Sequence, residues 1–308
     1  MKNFIIIAFI LIPQLLFAQS DGIGSDGKNG EGINFSGGSW KEGVDTPPDN
    51  PGPSYDPDAV AFWTEFSTEP HDTMKQKIST LYTMFKDSLV YDSIAYMWGS
   101  FGTTQESSIE LKNPGSKTLT LNNSPGFNPY EGWLGNGTNA FINTGVNLNT
   151  EGGVYSQNSS AVMIYCRTDA ISNGNIFGAQ TTPSAVKCFL KYTDNKVYAD
   201  INDKGDSAFS MAVSSSAGTT TLRRNNNLNF DVLKNSVLFG SKNTVSVAPP
   251  NLQVYWLCRN NSGSPALYTS GQQVSWLVFG SGWSNTAERK IKNIIEWFMD
   301  SNGKGVIP

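Results

Sequence analysis

Cys188-Phe-Leu-Lys-Tyr-Thr-Asp-Asn-Lys-Val-Tyr-Ala-Asp-Ile201 reads as one β-hairpin, and the fold follows from that reading. Asp194-Asn195 predicts a two-residue turn, because both residue types tolerate positive φ. Such a turn pairs Tyr192 with Val197, Leu190 with Ala199 and Cys188 with Ile201 on an apolar face. The opposite face then carries Lys191 beside Tyr198 and Phe189 beside Asp200. Alternation with a period of two puts one face against a core and leaves the other available.

The same pattern extends in both directions. Before the hairpin, strands are predicted at Asn139–Thr144, Ala161–Thr168 and Asn175–Gln180, with the hairpin's own arms at Val186–Tyr192 and Lys196–Ile201. After it come Phe209–Ser214, Thr219–Arg224, Val232–Phe239, Leu252–Cys258 and Val274–Phe279. Around ten short strands with no helices between them exclude a βαβ arrangement and predict a mainly β sandwich or barrel. The composition agrees: charged residues make up 16% and glycines number 30, which suits many turns and a weakly charged surface.

Helices flank the strands. At Tyr55-Asp56-Pro57-Asp58, Asp56 can cap a helix, Pro57 fits its first position and Asp58 favours the positive dipole end. Ala59, Phe62, Trp63 and Phe66 give that helix one apolar face. A second helix starts near Asp72, with Ile78, Leu81, Tyr82, Phe85 and Leu89 at helical spacing. Both are too short to form a core alone, so they are expected to dock on the strands. At the other end Asn285 can cap a helix with Glu288 three residues on, and Ile291, Ile294, Ile295 and Phe298 mark its buried side.

Residues 1–20 read as a cleavable signal peptide. Lys2 is the basic start, Phe4 to Ile12 the apolar run, and cleavage after Ala18 or Ser20 is expected. That run is too short for a permanent anchor, so the mature chain is expected to be exported without a membrane span. Residues 21–54, rich in glycine and then in Pro47-Pro48, Pro51 and Pro53, read as a flexible linker. Within it, Gly24-Ser-Asp-Gly-Lys-Asn-Gly-Glu-Gly32 is similar to a calcium-binding glycine repeat, but as one copy with no strand beside it. The remaining divisions are a helical preamble over 55–100 and the β domain with its terminal helix over 101–308.

Several chemistries are excluded. His71 is the sole histidine and lies in the preamble, so histidine-based nucleophilic catalysis and multi-histidine zinc sites are not expected in the β domain. A net charge of −4 attracts no polyanion, and no nucleic-acid partner is expected. Cys166, Cys188 and Cys258 allow one disulfide at most, and buried free thiols are the simpler reading. Glycan cleavage requires paired carboxylates. After Glu151 the next glutamate is Glu288, and Asp169, Asp194, Asp200, Asp203 and Asp206 fall mostly where turns are expected. No catalytic residue is assigned.

What remains is a binding face. Phe189 and Tyr198 offer aromatic surface on which a sugar ring can stack, and Lys191 and Asp200 offer hydrogen bonds to its hydroxyls. Asn195, Arg259, Asn260 and Asn261 are loop candidates for the border of that site.

Trp133-Leu-Gly-Asn-Gly-Thr-Asn-Ala-Phe-Ile-Asn-Thr-Gly145 resembles the opening strand of concanavalin A-like, laminin-G-like jelly rolls. Ile176-Phe-Gly-Ala-Gln180, the hairpin, Leu257-Cys-Arg-Asn-Asn261 and Phe279-Gly-Ser-Gly282 follow in the order expected of them. The preamble, with Asp56-Pro-Asp-Ala-Val-Ala-Phe-Trp63, resembles modules of phage tail or virion proteins and of exported bacterial proteins. The resemblance implies a sandwich of two antiparallel sheets used for glycan or surface adhesion. Many such domains bind calcium at a loop, but no acidic cluster here is assigned to it, and no cofactor is expected. The expected function is a noncatalytic adhesion or carbohydrate-binding module, on an exported or a virion surface. A structural protein that packs on other chains is the alternative, and a glycan hydrolase or lyase stands behind both.

Overall fold

The structure, a computed structural model, describes residues 54–307; the expected signal peptide and the linker up to residue 53 lie outside the described residues. Two sheets face each other. The first runs in the order β13 (Val237–Asn243), β12 (Asn229–Lys234), β11 (Gly218–Arg224), β6 (Ser160–Cys166), β17 (Ser270–Gly280), β4 (Gly132–Asn136) and β3 (Gly126–Asn128), with β1 (Ile94–Trp98) also paired to β17. The second runs β10 (Phe209–Ala212), β9 (Lys196–Asp203), β8 (Ser184–Phe189), β7 (Phe177–Thr181), β14 (Gln253–Trp256), β5 (Phe141–Asn147) and β2 (Thr120–Asn122). Beside β7 lie β15 (Arg259–Asn261) and β16 (Ser264–Ala266). The strand pairings are antiparallel except for β15, which adds to β7 in parallel. The protein is therefore a mainly β, two-sheet jelly-roll sandwich with helices at its N-terminal and C-terminal ends.

The inner faces build one core from alternate residues of both sheets. Trp98, Trp133, Val162, Ile164, Leu222 and Leu277 come from the first sheet; Ile142, Phe177, Val186, Cys188, Val197, Ile201 and Trp256 come from the second. Burying each large apolar side chain stabilises by roughly 1.5–3 kcal/mol, which makes this layer the main source of cohesion. All three cysteines are buried and free.

The outer face of the first sheet is also apolar, and the helices cover it. Met163 and Tyr165 of β6 and Trp276 and Val278 of β17 pack against α1 (Pro57–Thr64), α2 (Asp72–Asp87) and α4 (Asn285–Ser301). A one-turn helix, α3 (Thr104–Ser108), is closed by a capping box between Thr103 and Glu106. Asp56 caps α1, accepting from the Asp58 and Ala59 amides, and its carboxylate also receives Lys86 of α2 at 2.7 Å. Along α4, Ile291, Ile294, Ile295, Phe298 and Met299 are buried, the side that the helical spacing predicts. Its cap is Ser284 rather than Asn285: the Ser284 hydroxyl accepts the Ala287 amide. Glu288 instead turns inward to accept from Thr221 Oγ1 at 2.8 Å. The span 55–100 holds β1 as well as its helices, and β1 joins the first sheet directly.

Two sequence expectations are corrected in register and in strand limits. The 188–201 hairpin turns through three residues, not two. The Tyr192 carbonyl accepts the Asn195 amide at 2.9 Å, Asn195 sits at φ 59°, and the Tyr192 amide donates to the Lys196 carbonyl at 2.7 Å. A type I turn followed by a left-handed residue has this form. The register slides by two, one step from the extra turn residue and one from an irregularity at Leu190-Lys191: Cys188 faces Ala199 and Phe189 faces Tyr198. A slide of two preserves the faces, so Cys188, Leu190, Val197, Ala199 and Ile201 remain in the core. The segment Val232–Phe239 is not one strand either. Asn235 and Ser236, at φ 50° and 66°, turn it into the β12–β13 hairpin. Two consecutive positive φ values are what a two-residue hairpin turn needs, and an Asn-Ser pair is a weaker cue than Asn-Gly.

Candidate functional site

The outer face of the second sheet carries the candidate site. Phe189 of β8, Tyr198 of β9 and Tyr192 at the hairpin turn form a shelf of half-buried rings. Their centroids lie 5.2 Å (Phe189–Tyr192), 5.6 Å (Tyr192–Tyr198) and 6.3 Å (Phe189–Tyr198) apart, every pair edge to face. Edge-to-face rings hold one another in fixed orientation. The turn adds a further restraint, since Tyr198 donates its hydroxyl to Asp194 Oδ2 at 2.7 Å. With Lys187 and Ala208 these rings line an open concavity of about 320 Å³.

A buried ionic cluster supports the shelf. Asp200 is fully buried, 3.3 Å from Lys187 Nζ and 3.5 Å from Lys242 Nζ. Lys242 also pairs with Asp203 and donates to the Ser207 carbonyl, which ties the loop after β9 over the cluster. Burial pushes the Asp200 carboxyl up to about 6, against the pull of the two lysines. Burial also lowers the Lys187 ammonium, which Asp200 partly restores.

Gly178 opens the next strip of this face. In register it lies between Lys187 of β8 and Tyr255 of β14. A side chain there would reach within 2.9 Å of the Lys187 Cβ and 3.0 Å of the Arg259 Cβ, so the glycine lets the two cations approach. Both donate to one oxygen, Gln180 Oε1, at 3.0 Å from Lys187 Nζ and 2.8 Å from Arg259 Nη1. Beyond Gly178, Tyr255 stacks with Phe141 at 4.8 Å, with Tyr268 6.3 Å from Phe141.

Of the residues singled out from sequence, the structure brings together Phe189, Tyr198 and Arg259 on this face, with Asp200 beneath. Asp200 presents no carboxylate to solvent, because the loop and two lysines enclose it. Lys191 does not line the concavity: Asp169 Oδ1 holds it at 3.0 Å and the Ser214 carbonyl at 2.9 Å. Asn195 is exposed and serves the turn through its backbone. Asn260 is buried and occupied, donating to the Gln253 carbonyl and accepting the Gly263 amide, each at 2.9 Å. Asn261 is exposed at the end of β15. Missed from sequence were Lys187, two residues before Phe189 on the same face, and Tyr192, which the two-residue turn had put in the core. Among the described residues no group of three or more acidic, histidine or cysteine side chains converges as a metal site.

A second buried carboxyl lies far from the shelf. Glu110 is fully buried and accepts the amides of Met97 at 2.9 Å, Lys112 at 2.7 Å and Asn113 at 2.5 Å. Burial still pushes it up to about 7. Glu110 and Asp200 thus both hold protons more tightly folded than unfolded, where the ordinary values are 4.5 and 3.8. A raised carboxyl contributes stability that is complete below its unfolded value and is lost as pH rises through its folded one. The melting temperature is therefore expected to rise as pH falls from 8 to about 5, by about 2–4 °C for each kcal/mol gained. Thermal melts of the native chain, Glu110→Gln and Asp200→Asn across that range check this. The slope should flatten in each variant, and an unchanged slope in both would refute the assignment.

No protein-family model matches the sequence, and no curated protein does. Among solved structures, the chain is similar to the receptor-binding domain of botulinum neurotoxin C/D mosaic serotype, at 11% identity and TM-score 0.49 over 66% of this chain and 51% of that one. It is similar to the botulinum neurotoxin serotype D ligand-binding domain in complex with N-acetylneuraminic acid, at 10% identity and TM-score 0.49 over 67% and 52%. It is also similar to Trypanosoma rangeli sialidase, at 11% identity and TM-score 0.47 over 76% and 41%. The chain spans about half the length of the toxin domain (51%). Likenesses this distant carry no ligand, substrate or residue across to this chain.

Proposed function

We propose that this chain is a noncatalytic carbohydrate-binding or adhesion module of an exported protein. The observation that carries the reading is the shelf of Phe189, Tyr192 and Tyr198 around an open concavity, with the Lys187 ammonium at its edge. A pyranose ring presents an apolar face to such a shelf and hydroxyls to its rim. A volume of about 320 Å³ suits one or two sugar units. The neighbouring carboxylates favour binding over cleavage: Asp200 is enclosed and Asp194 is engaged by Tyr198, so no free pair flanks the concavity. Export rests on the signal-like residues 1–20. No helix among the described residues is long and apolar enough to cross a membrane.

A glycan array followed by titration calorimetry tests the reading. Tyr198→Ala should weaken binding roughly tenfold, a loss of about 1.4 kcal/mol. Its melting temperature should stay nearly unchanged, because the ring is half-exposed. A variant that loses several degrees and keeps its affinity would make Tyr198 a packing residue and remove the site. Release of product from the bound glycans would replace the noncatalytic reading with a catalytic one.

A second reading, a structural protein that packs on other chains, is favoured by one observation. The edge strand β13 exposes Val237 and Leu238 at 69% and 58%. Paired edge strands of this kind recruit further strands. Concentration-dependent mass by light scattering, abolished by Leu238→Lys, would favour it.

A further inference from the structure

We infer that the glycan held by this face is acidic, with Arg259 receiving its negative group; this rests on the carbohydrate-binding reading above. The strip beside the shelf carries more positive than negative charge. Lys187 and Lys242 are matched by Asp200 and Asp203 within the buried cluster. Arg259, which shares Gln180 Oε1 with Lys187, has no acidic partner among the described residues. Its Nε is buried without a hydrogen-bond partner, and Nη1 spends its contact on a neutral amide oxygen. With Nε enclosed and Nη1 held by Gln180, the guanidinium keeps Nη2 without a hydrogen bond beside the gap at Gly178, a charged donor suited to an anionic group. The chain as a whole is negative, at −4, so a local excess of positive charge selects by contact and not by general attraction.

The position fits a ligand longer than one sugar. Across the sheet the outer face reads Tyr255, Gly178, Lys187 and Asp200 in register, with Tyr255 stacked on Phe141 at one end. At the other end is the Phe189, Tyr192 and Tyr198 shelf. Two aromatic groups thus flank the Lys187–Arg259 pair. A chain with sugars stacked on both would carry a carboxylate or a sulfate ester between them, over Gly178. Gln180 holds the two cations together, which keeps Arg259 in place before the ligand arrives.

The test pairs each acidic glycan on an array with a neutral counterpart: uronic-acid oligosaccharides with their methyl esters, and sulfated galactan oligosaccharides with their desulfated forms. The acidic member of the preferred pair should bind at least tenfold tighter, and which pair responds separates a carboxylate from a sulfate. Arg259→Gln should erase the preference by lowering the acidic member's affinity at least tenfold, and Arg259→Lys should keep part of it. Equal binding of the two members, or a preference that survives Arg259→Gln, would overturn the inference while leaving Tyr198-dependent glycan binding intact. Binding to none of the glycans would overturn both this inference and the reading it rests on. Melting curves of both Arg259 variants identify a folding loss, in which case the Lys variant, with its charge retained, decides the result.

Discussion

Trp276→Ala is expected to destabilise the protein by about 3–5 kcal/mol, among the largest losses that a side-chain truncation here can cause. Trp276 sits on the outer face of β17, fully buried where sheet and helices meet. Its ring packs at 5.6 Å from Phe298 of α4 and 6.3 Å from Phe101, and its indole donates to Met299 Sδ at 3.2 Å. Gly99 lies against the ring so closely that a Cβ there would approach ring atoms at 2.6 Å. Such a packed site has little freedom to collapse when the ring is removed. The helical layer should loosen first, and the inner core, which uses other residues of β17, should survive longer. Chemical denaturation gives the free energy, and limited proteolysis should show new cleavage within α2 and α4. A loss below about 1 kcal/mol would mean that the helices are held by something other than this ring.

Gly132→Ala should be worse, leaving little folded protein. Gly132 opens β4 at φ 105°, a conformation that side chains rarely adopt. A Cβ would lie 2.1 Å from the Val274 carbonyl oxygen and 2.8 Å from Ser100 Oγ. Relief requires moving β4 away from β17, which breaks the pairing of Trp133 with Val274 and draws Trp133 out of the core. Gly153→Ala is the control: φ is also positive, at 58°, but nothing lies within 4 Å of the added carbon. It should cost only about 1 kcal/mol. Soluble yield and melting temperature of the two variants check the contrast. Comparable losses in both would mean that strain and not the clash dominates.

The fold was legible where alternation was strong. Over Cys188–Leu190 and Val197–Ile201 the sorting of residues onto two faces needed only parity, so it survived an error in turn length; Tyr192, beside the turn, changed face. Register depends on how many residues the turn holds, and Asp194-Asn195 serves a two-residue or a three-residue turn equally well. Strands with few large residues, such as Gly126–Asn128 and Gly132–Asn136, carried no periodic signal; they pair with each other, and the second also with β17, far along the chain. The same limit explains the site. Phe189 and Tyr198 could be placed together because they are local. Arg259 meets Lys187 only because β15 adds to β7 in parallel, 79 residues separating Arg259 from Gln180. Lys191 was misplaced because nothing local shows that Asp169 and Ser214 would capture it.

The position of β17 bears on how the chain reaches this state. It lies between β6 and β4 and also pairs with β1, yet it is among the last segments of the chain, at Ser270–Gly280. The first sheet is therefore in separate pieces until that strand arrives, with β1 waiting for a partner nearly the whole domain away. Loops of this length must close before their contacts repay the lost entropy. Assembly is consequently slow and dominated by non-local pairing. A chain stopped short of residue 270 has every strand of the second sheet and the β13–β12–β11–β6 block, but lacks the strand that joins that block to β4 and to β1.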